Sequence, residues 1–261
     1  MDLPALDCRR VAFFGGTFDP PHRGHLAVAR AAQRALHLDA ILFAPVGAQP
    51  LKPQGSTASF DDRVAMTRLA VEGDPAFIVS LADAPSTTGN PNDTPNYTPN
   101  YTFDTLTTLR AELPSQAELF CLMGADSFLS LRRWHRGAEI PFVAPLIVAS
   151  RPGQPLEELA EVLPAGLTIS DHPAPIAEPT TDELRVYTLR NATGATKPFF
   201  LLPGLHVDIS ASAIREQVHA SPDRNPSGRN PLPHRPVFVD GVQNLLPDAV
   251  STYIAARNLY R

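Results

Sequence analysis

Two histidines in the segment at residues 15–25 have the residue type and the spacing to contact phosphate together. The segment reads GGTFDPPHRGH, and only Arg23 and Gly24 separate His22 from His25. Residues three positions apart share one face of a helix, so both imidazoles could face the same ligand from a first helical turn. Their N–H groups could then donate hydrogen bonds to charge that develops on phosphate during a transfer reaction.

Zinc binding and helix capping are the alternative interpretations of the two histidines. Zinc would require further nitrogen or sulfur ligands, and the sequence has none at a suitable spacing nearby. The glycine pattern is neither G-x-G-x-x-G nor G-x-x-x-x-G-K-[ST], which disfavours a dinucleotide-binding dehydrogenase and a P-loop kinase. Phosphate binding is therefore the chemistry that the segment favours.

The elements around this segment fit a phosphate site. Short apolar runs that end in small residues or proline predict buried strands at residues 11–14, 41–46, 77–81, 119–123 and 146–149. Gly15 and Gly16 follow the first run directly, so the backbone there could approach a ligand closely. A helix that starts after them would present free N–H groups and a positive dipole end to phosphate.

Helices are predicted between these strands. Residues 24–39 carry apolar side chains at helical spacing, namely Leu26, Ala29, Ala32 and Leu36. Further helices are predicted at about residues 59–72, with Ser59 as N-cap, at about residues 105–113, and at residues 248–257. The alternation predicts an α/β fold, an open parallel sheet with helices on both faces, whose ligands bind outside the carboxyl ends of the strands.

Three polar, proline-rich segments interrupt this alternation. They cover residues 84–100, 152–198 and 220–236, and we interpret them as loop insertions in a single domain of residues 1–261. The first contains a tandem Thr-Pro-Asn-Tyr, whose role the sequence leaves open. The second includes candidate short strands at residues 167–169 and 185–189.

Composition excludes several classes of protein. The net charge of −5 argues against a general nucleic-acid binder, which needs a basic face. Apolar runs are too short for a membrane span, and the N-terminus does not have the pattern of a secretory signal. Cys8 and Cys121 have no C-x-x-C spacing, so no disulfide framework is indicated. We expect a cytoplasmic protein without nucleic-acid or membrane partners, and a homo-oligomer is compatible with the sequence.

The segment at residues 15–25 resembles the signature of the nucleotidyltransferase superfamily with an H-x-G-H motif, and in detail that of bacterial nicotinate-nucleotide adenylyltransferases. The resemblance implies a Rossmann-like nucleotidyltransferase fold. It also implies adenylyl transfer from ATP to nicotinate mononucleotide, giving nicotinate adenine dinucleotide and pyrophosphate in NAD biosynthesis. The implied partners are ATP and a pyridine mononucleotide. Mg²⁺ is the expected cofactor, bound mainly through the ATP phosphates, with no protein metal ligand named.

The resemblance extends to later segments and implies roles for their residues. The catalytic residues around the triphosphate would be His22, His25, Lys52 and Arg215. The ATP-binding residues would be Gly15, Gly16, Thr17, Phe18, Gly124, Asp126, Ser210 and Ser212. The pyridine nucleotide would contact Thr102 in YTFDTL, Trp134 and His135 in GADSFLSLRRWH, and Arg151 in ASRPG.

Two departures from the family pattern leave questions open. In DISASAIR, Ala211 and Ser212 stand where the pattern I-S-S-T-x-I-R has serine and threonine, which puts one phosphate contact in doubt. Asn100 stands where a serine is expected before the tyrosine. The alternatives are an adenylyltransferase for nicotinamide mononucleotide or phosphopantetheine, and a non-catalytic nucleotide-binding module. A pantetheine enzyme would normally carry T-x-G-H, but side chains alone do not separate acid from amide substrates.

Overall fold

The fold is described by a computed structural model that covers residues 8–51, 55–88, 96–150, 156–170, 184–203, 209–220 and 244–261. The strands in these ranges are β1 (Arg10–Gly16), β2 (Ala40–Pro45), β3 (Phe77–Val79), β4 (Ser86–Thr88), β5 (Asn96–Thr98), β6 (Glu118–Gly124), β7 (Leu146–Ala149), β8 (Leu167–Ile169), β9 (Arg185–Asn191) and β10 (Thr196–Leu202). The helices are α1 (Arg23–Leu36), α2 (Phe60–Val71), α3 (Thr102–Glu112), α4 (Ala125–Ser130), α5 (Ile140–Val143), α6 (Leu156–Glu161), α7 (Ala211–Ala220) and α8 (Asp248–Arg257).

Within the described residues, the main sheet has eight strands in the order β3-β2-β1-β6-β7-β10-β9-β8. The first six strands in that order, β3, β2, β1, β6, β7 and β10, are parallel to one another. The five strands predicted from apolar runs are β1, β2, β3, β6 and β7, so the predicted open parallel sheet is confirmed. Strands β9 and β8 complete the sheet as antiparallel neighbours.

The candidate short strands at residues 167–169 and 185–189 are confirmed as β8 and part of β9, but the rest of the segment at residues 152–198 is not simply a loop where the structure describes it, which corrects that part of the prediction. The segment contains α6, β8, β9 and the start of β10. In β9 the buried side chains alternate with more exposed ones, Tyr187 and Leu189 lying inside, as in a strand with one covered face. Within residues 84–100, β4 and β5 pair as a small antiparallel sheet. Most of the third predicted insertion lies outside the described residues.

Helices cover both faces of the main sheet because side chains of each strand point alternately to the two sides. In β1, Val11 and Phe13 pack in a cluster with Leu106 and Leu109 of α3, among others. On the opposite face, Ala12 and Phe14 pack with Leu26, Ala29 and Ala32 of α1. No helix in the described ranges is both long enough and apolar enough to cross a lipid bilayer.

A third apolar cluster joins α2, α7 and α8 beside the main sheet. Its members include Met66 of α2, Ile214 of α7, and Val250 and Ile254 of α8, all almost fully buried. Helix α2 begins where the sequence predicts, because the hydroxyl of Ser59 accepts a hydrogen bond from the N–H of Asp62 at 3.1 Å. The cluster fixes α7 next to the turn that follows β1.

Candidate active site

The site lies at the point where the strand order of the sheet reverses. From β1 the chain passes through α1 to β2 on one side, whereas β6 lies on the other side of β1. Such reversal points leave a crevice outside the carboxyl ends of the two strands, where ligands bind in open α/β sheets. Gly15 and Gly16 end β1, and Gly124 ends β6 and caps α4.

The glycines at these strand ends have different surroundings. A Cβ added to Gly15 would lie 2.7 Å from a ring carbon of Phe13, and one added to Gly16 would lie 3.1 Å from the ring of Phe18. A Cβ on Gly124 would meet no atom within 4 Å. Packing therefore requires glycine at the end of β1, whereas Gly124 faces open space on the crevice side of the sheet.

The structure brings the two predicted histidines together at the start of α1. His22 is the N-cap residue, and its ring stacks on that of His25 with centroids 3.7 Å apart and planes 25° apart. The backbone N–H of His22 donates a hydrogen bond to Nδ1 of His25 at 3.1 Å. His22 is buried, with 6% of its surface exposed, and His25 is half-buried.

Burial keeps both imidazoles neutral at pH 7. It lowers the pKa of His22 to about 4, and burial followed by the charge of His22 lowers the pKa of His25 well below its ordinary value. Because Nδ1 of His25 accepts a hydrogen bond, the proton of the neutral ring lies on Nε2. This Nε2–H group is a neutral donor. Nδ1 of His22 is buried and has no hydrogen-bond partner among the described residues.

Two arginines hold the backbone of the turn between β1 and α1. Arg63 of α2 donates from NH1 to the carbonyl of Thr17 at 2.8 Å. Arg215 of α7 donates from NH1 to the carbonyl of Asp19 at 2.7 Å. Arg63 is 2% exposed, and burial lowers its guanidinium pKa despite the opposing charge of Asp19. The turn is thus fixed from α2 and from α7.

The side chain of Asp19 fixes the same turn from inside. Its carboxylate accepts hydrogen bonds from the N–H groups of Thr57 and Ala58 at 2.7 and 3.1 Å, and from the hydroxyl of Tyr260 at 2.7 Å. Asp19, Arg63 and Tyr260 were not among the residues predicted for the site. Asp19 lies inside the predicted phosphate segment at residues 15–25, but the contacts of all three depend on residues far along the chain.

Three more of the predicted phosphate contacts lie at the N-terminus of α7, namely Ser210 just before the helix and Ser212 and Arg215 within it. The hydroxyl of Ser210 accepts a hydrogen bond from the N–H of Ala213 at 3.1 Å and so caps the helix. Ser212 accepts a hydrogen bond from NH2 of Arg215 at 3.1 Å, and both serines are exposed. The structure therefore places Ser210, Ser212 and Arg215 beside the histidine turn.

A cavity of about 510 Å³ adjoins this turn. Thr17 is the link, because its hydroxyl donates to Oε1 of Gln49 at 2.8 Å and its carbonyl accepts from Arg63, and both partners line the cavity. Pockets for small ligands measure roughly 300–1,000 Å³. The lining residues are Gly47, Ala48, Gln49, Pro50, Gly55, Ser56, Ala58, Phe60, Arg63, Pro85 and Pro99. Lys52 lies outside the described residues, between two stretches that line the cavity.

Of the residues predicted for the pyridine nucleotide, the structure brings Thr102 and His135 near one another through Tyr101. Thr102 is the first residue of α3, and the ring of Tyr101 before it lies 4.5 Å from that of His135. Trp134 is half-buried, and its Nε1 donates to the hydroxyl of Ser130 at 2.9 Å. Asp126 is exposed in the first turn of α4, and Arg151 lies outside the described residues.

A buried carboxyl group that was not among the predicted site residues lies close to Gly15. Asp83 is 3% exposed, and its Oδ2 is 3.7 Å from the position of a Cβ on Gly15. The hydroxyl of Thr105 donates to its Oδ1, and burial raises the pKa of Asp83 to about 6. Among the residues that the structure describes, no group of three or more His, Cys, Asp or Glu side chains could hold a metal ion.

Comparison with known proteins identifies the family. Residues 13–217 match the cytidylyltransferase-like family. A Geobacter protein named probable nicotinate-nucleotide adenylyltransferase is 34% identical over 251 residues, with 96% of this chain and 98% of the relative covered. This chain belongs to the nicotinate-nucleotide adenylyltransferase branch of the cytidylyltransferase-like family. A Gloeobacter violaceus adenylyltransferase of the same name is 35% identical, with 96% of both chains covered.

Solved structures show the same fold for this adenylyltransferase-family chain. Plasmodium falciparum nicotinic acid mononucleotide adenylyltransferase complexed with NaAD matches with a TM-score of 0.60 at 14% identity, covering 97% of both chains. The same enzyme complexed with APC matches with a TM-score of 0.58. The family and the fold predicted from the sequence are thereby confirmed, and the chain is a nucleotidyltransferase. The roles of its individual residues stay predictions.

Proposed function

We propose that this chain transfers the adenylyl group of ATP to nicotinate mononucleotide, giving nicotinate adenine dinucleotide and pyrophosphate for NAD biosynthesis. The names of its full-length relatives support the reaction. The structural observation that carries the proposal is the stacked pair of neutral imidazoles, His22 and His25, at the N-terminus of α1 beside the carboxyl end of β1. A helix N-terminus and neutral N–H donors suit a triphosphate.

The reaction needs positioning and charge stabilisation more than covalent chemistry. A phosphate oxygen of the mononucleotide forms a bond to the α-phosphorus of ATP, and the bond from that phosphorus to the bridging oxygen of pyrophosphate breaks. The attacking phosphate is already ionised at neutral pH, so no protein nucleophile or base is required. In this scheme Nε2–H of His25 donates to the oxygens on which negative charge develops.

The outgoing pyrophosphate would be held by α7 and the loop after β2. Arg215 uses one N–H at each terminal nitrogen for Asp19 and Ser212, and its guanidinium has further donors for phosphate oxygens. Ser210 and Ser212 lie exposed on the same turn, and Lys52 is proposed to add a positive charge. The ribose of ATP is proposed to lie against Gly124 and Asp126.

The acceptor nucleotide would occupy the cleft between the loop after β2 and the start of α3. Thr102, Trp134, His135 and Arg151 are the proposed contacts. An indole face suits a flat, electron-poor pyridinium ring. The hydrogen bond from Trp134 to Ser130 fixes the orientation of the indole. Location in the cytoplasm and assembly into a homo-oligomer also stay predictions.

Magnesium is proposed to enter with the nucleotide. The ATP phosphates and water are proposed to supply most of the ligands of the ion. An ion that bridges phosphate oxygens would neutralise part of their charge. The protein groups proposed to act on the phosphates are His25 and Arg215.

Pyrophosphate release tests the proposal. The purified chain is incubated with ATP, magnesium and, separately, nicotinate mononucleotide, nicotinamide mononucleotide or phosphopantetheine, with the His25→Ala variant as background control. We expect the fastest release with nicotinate mononucleotide. Faster release with either other acceptor would assign the alternative substrate. Tight ATP binding without release on any acceptor would instead indicate a non-catalytic nucleotide-binding module.

A further inference from the structure

Asn100 joins two loops of the site through three hydrogen bonds. Its backbone N–H donates to the carbonyl of Ala48 at 2.9 Å, and its side-chain Oδ1 accepts from the N–H of Ala48 at 2.8 Å. Its Nδ2 donates to the carbonyl of Ala84 at 3.0 Å. Both backbone groups of Ala48 are thus bonded to one residue, and the same residue reaches the loop after β3.

The three hydrogen bonds of Asn100 form a clamp between the two loops. The position of Asn100 in the chain places this clamp on the acceptor side of the cleft. Ala48 lines the 510 Å³ cavity, while Asn100 lines a neighbouring cavity of about 260 Å³ together with Tyr101 and Thr105. Asn100 directly precedes Tyr101, the N-cap of α3, so it stands two residues before Thr102. The clamp therefore lies between two cavities and at the start of the helix that carries Thr102.

The two loops that Asn100 joins already touch one another. The N–H of Gly47 donates to the carbonyl of Asp83 at 2.7 Å, and a Cβ on Gly47 would lie 2.4 Å from the backbone nitrogen of Pro85. A small change in the spacing of these loops would move the cavity wall. The histidine turn has no hydrogen bond to Asn100 among those the structure describes. Arg63 and Arg215 hold its backbone, and Thr17 joins it to Gln49 of the loop after β2.

The chemistry of the side chain explains why asparagine is needed for two of the three bonds, those to the N–H of Ala48 and the carbonyl of Ala84. A carboxamide carries an acceptor and a donor on one rigid plane, so it can accept from Ala48 and donate to Ala84 together. The serine that the family pattern has at this position offers one shorter hydroxyl, which can keep at most one of these two contacts in a fixed loop geometry.

We propose that Asn100 is a positioning residue that sets the width of the acceptor subsite by clamping the loops after β2 and β3 to the start of α3. The inference rests on the proposed function, because the subsite it shapes is that of the mononucleotide. ATP is proposed to lie mainly on the glycine and histidine turn, so the effect of Asn100 falls mainly on the acceptor and less on ATP.

The test compares Asn100→Ser and Asn100→Ala with the wild type in steady-state kinetics for each substrate. We expect KM for nicotinate mononucleotide to rise roughly five- to tenfold in the alanine variant and less in the serine variant, as hydrogen bonds are lost. KM for ATP and kcat should stay within about twofold of the wild type, since this split marks lost ground-state binding of one substrate.

Asn191→Ala is the matched control. The side chain of Asn191 holds the turn between β9 and β10 by accepting from the N–H groups of Thr193 and Ala195 at 3.1 and 2.9 Å. This variant should lower the melting temperature without changing either KM. Unchanged kinetics in both Asn100 variants, or equal rises in both KM values, would overturn the inference. If the alanine variant does not fold, the serine variant decides. A wild type inactive on the mononucleotide contradicts the proposed function and the inference with it.

Discussion

Two contacts fix the side chain of His25, and the first of them leaves the proton of the neutral ring on Nε2. Its Nδ1 accepts from the backbone of His22, and its ring lies against that of Phe18, with centroids 5.0 Å apart. We expect His25→Ala to lower kcat by roughly 100-fold or more, as loss of a donor to developing charge does in other enzymes. The melting temperature should change by only a few degrees, because His25 is half-buried.

Initial rates of pyrophosphate release and thermal unfolding measure these two effects. His219→Ala is the control, since His219 is exposed in the last turn of α7. It should leave both quantities unchanged. Turnover of His25→Ala close to that of the wild type would contradict the role assigned to the imidazole.

His22 should make stability depend on pH. The unfolded imidazole binds a proton near its ordinary pKa of 6.5, whereas the folded one does so only near 4. Between these values unfolding takes up a proton, so the stability that neutral His22 contributes is complete above pH 6.5 and is lost as the pH falls towards 4. We expect the wild type to lose roughly 1–2 kcal/mol more than His22→Asn between pH about 7.5 and about 5.

Urea unfolding at the two pH values measures this difference. Asparagine can cap α1 but does not titrate. Asp83, with a pKa of about 6, acts in the opposite direction, but its contribution is common to both proteins and cancels. Equal losses in the two proteins would show that His22 is not buried in neutral form.

The sequence revealed the histidine pair because its members are neighbours along the chain and one helical turn orients both. It did not reveal the groups that hold the turn. Tyr260 and Asp19 are 241 positions apart, and Arg63 and Thr17 are 46 positions apart. Such contacts depend on how the helices pack beside the sheet, and no local sequence pattern predicts this packing.

At the scale of elements, the glycines at the ends of β1 and β6 should respond differently to the same substitution. Gly15→Ala would press a methyl group onto the buried ring of Phe13, so we expect a loss of about 1–3 kcal/mol in the free energy of unfolding. Gly124→Ala has room for its methyl group and should cost about 1 kcal/mol or less.

Gly124→Ala also tests where the nucleotide binds, through its effect on the kinetics. If the nucleotide approaches the end of β6 closely, KM for ATP should rise although the fold is intact. Urea unfolding and steady-state kinetics on both variants provide the measurements. An unchanged KM for ATP in Gly124→Ala would place the nucleotide elsewhere.

The elements were predictable where one pattern dominated a stretch of sequence. Fully buried strands such as β2 and β7 are continuous apolar runs, and α8 was predicted with its observed bounds. Most of β9 was predicted as a short strand at residues 185–189, whereas β10 was not predicted, because it follows polar sequence and contains Pro198. The position of β10 in the sheet is set by its pairing with β7, and no local sequence pattern indicates that pairing.

At the scale of the whole molecule, the C-terminus stabilises the site near the N-terminus. The hydroxyl of Tyr260 donates to Asp19, and Arg23 donates from Nε to the carbonyl of Leu246 at 3.0 Å. We expect Tyr260→Phe to lose about 1–3 kcal/mol of unfolding free energy, because the bond is buried and its acceptor is charged. Tyr253→Phe, which removes a more exposed bond to Asp62, should lose less.

Urea unfolding of the two tyrosine variants provides that comparison. An equal or smaller loss for Tyr260→Phe would show that Tyr260 does not hold the turn. The C-terminal contact also explains why the site depends on the entire chain, since the turn at residues 15–25 is fixed by α2, by α7 and by the last residues together.

The turn after β1 is proposed to bind the phosphates of ATP. A crystal structure with a non-transferable ATP analogue and nicotinate mononucleotide would locate these phosphates. We predict phosphate oxygens at the N-terminus of α1, with Nε2 of His25 roughly 2.7–3.2 Å from one of them and Arg215 beside the terminal phosphates. An analogue whose phosphates lie away from His22 and His25, with the two rings still stacked and unengaged, would contradict it.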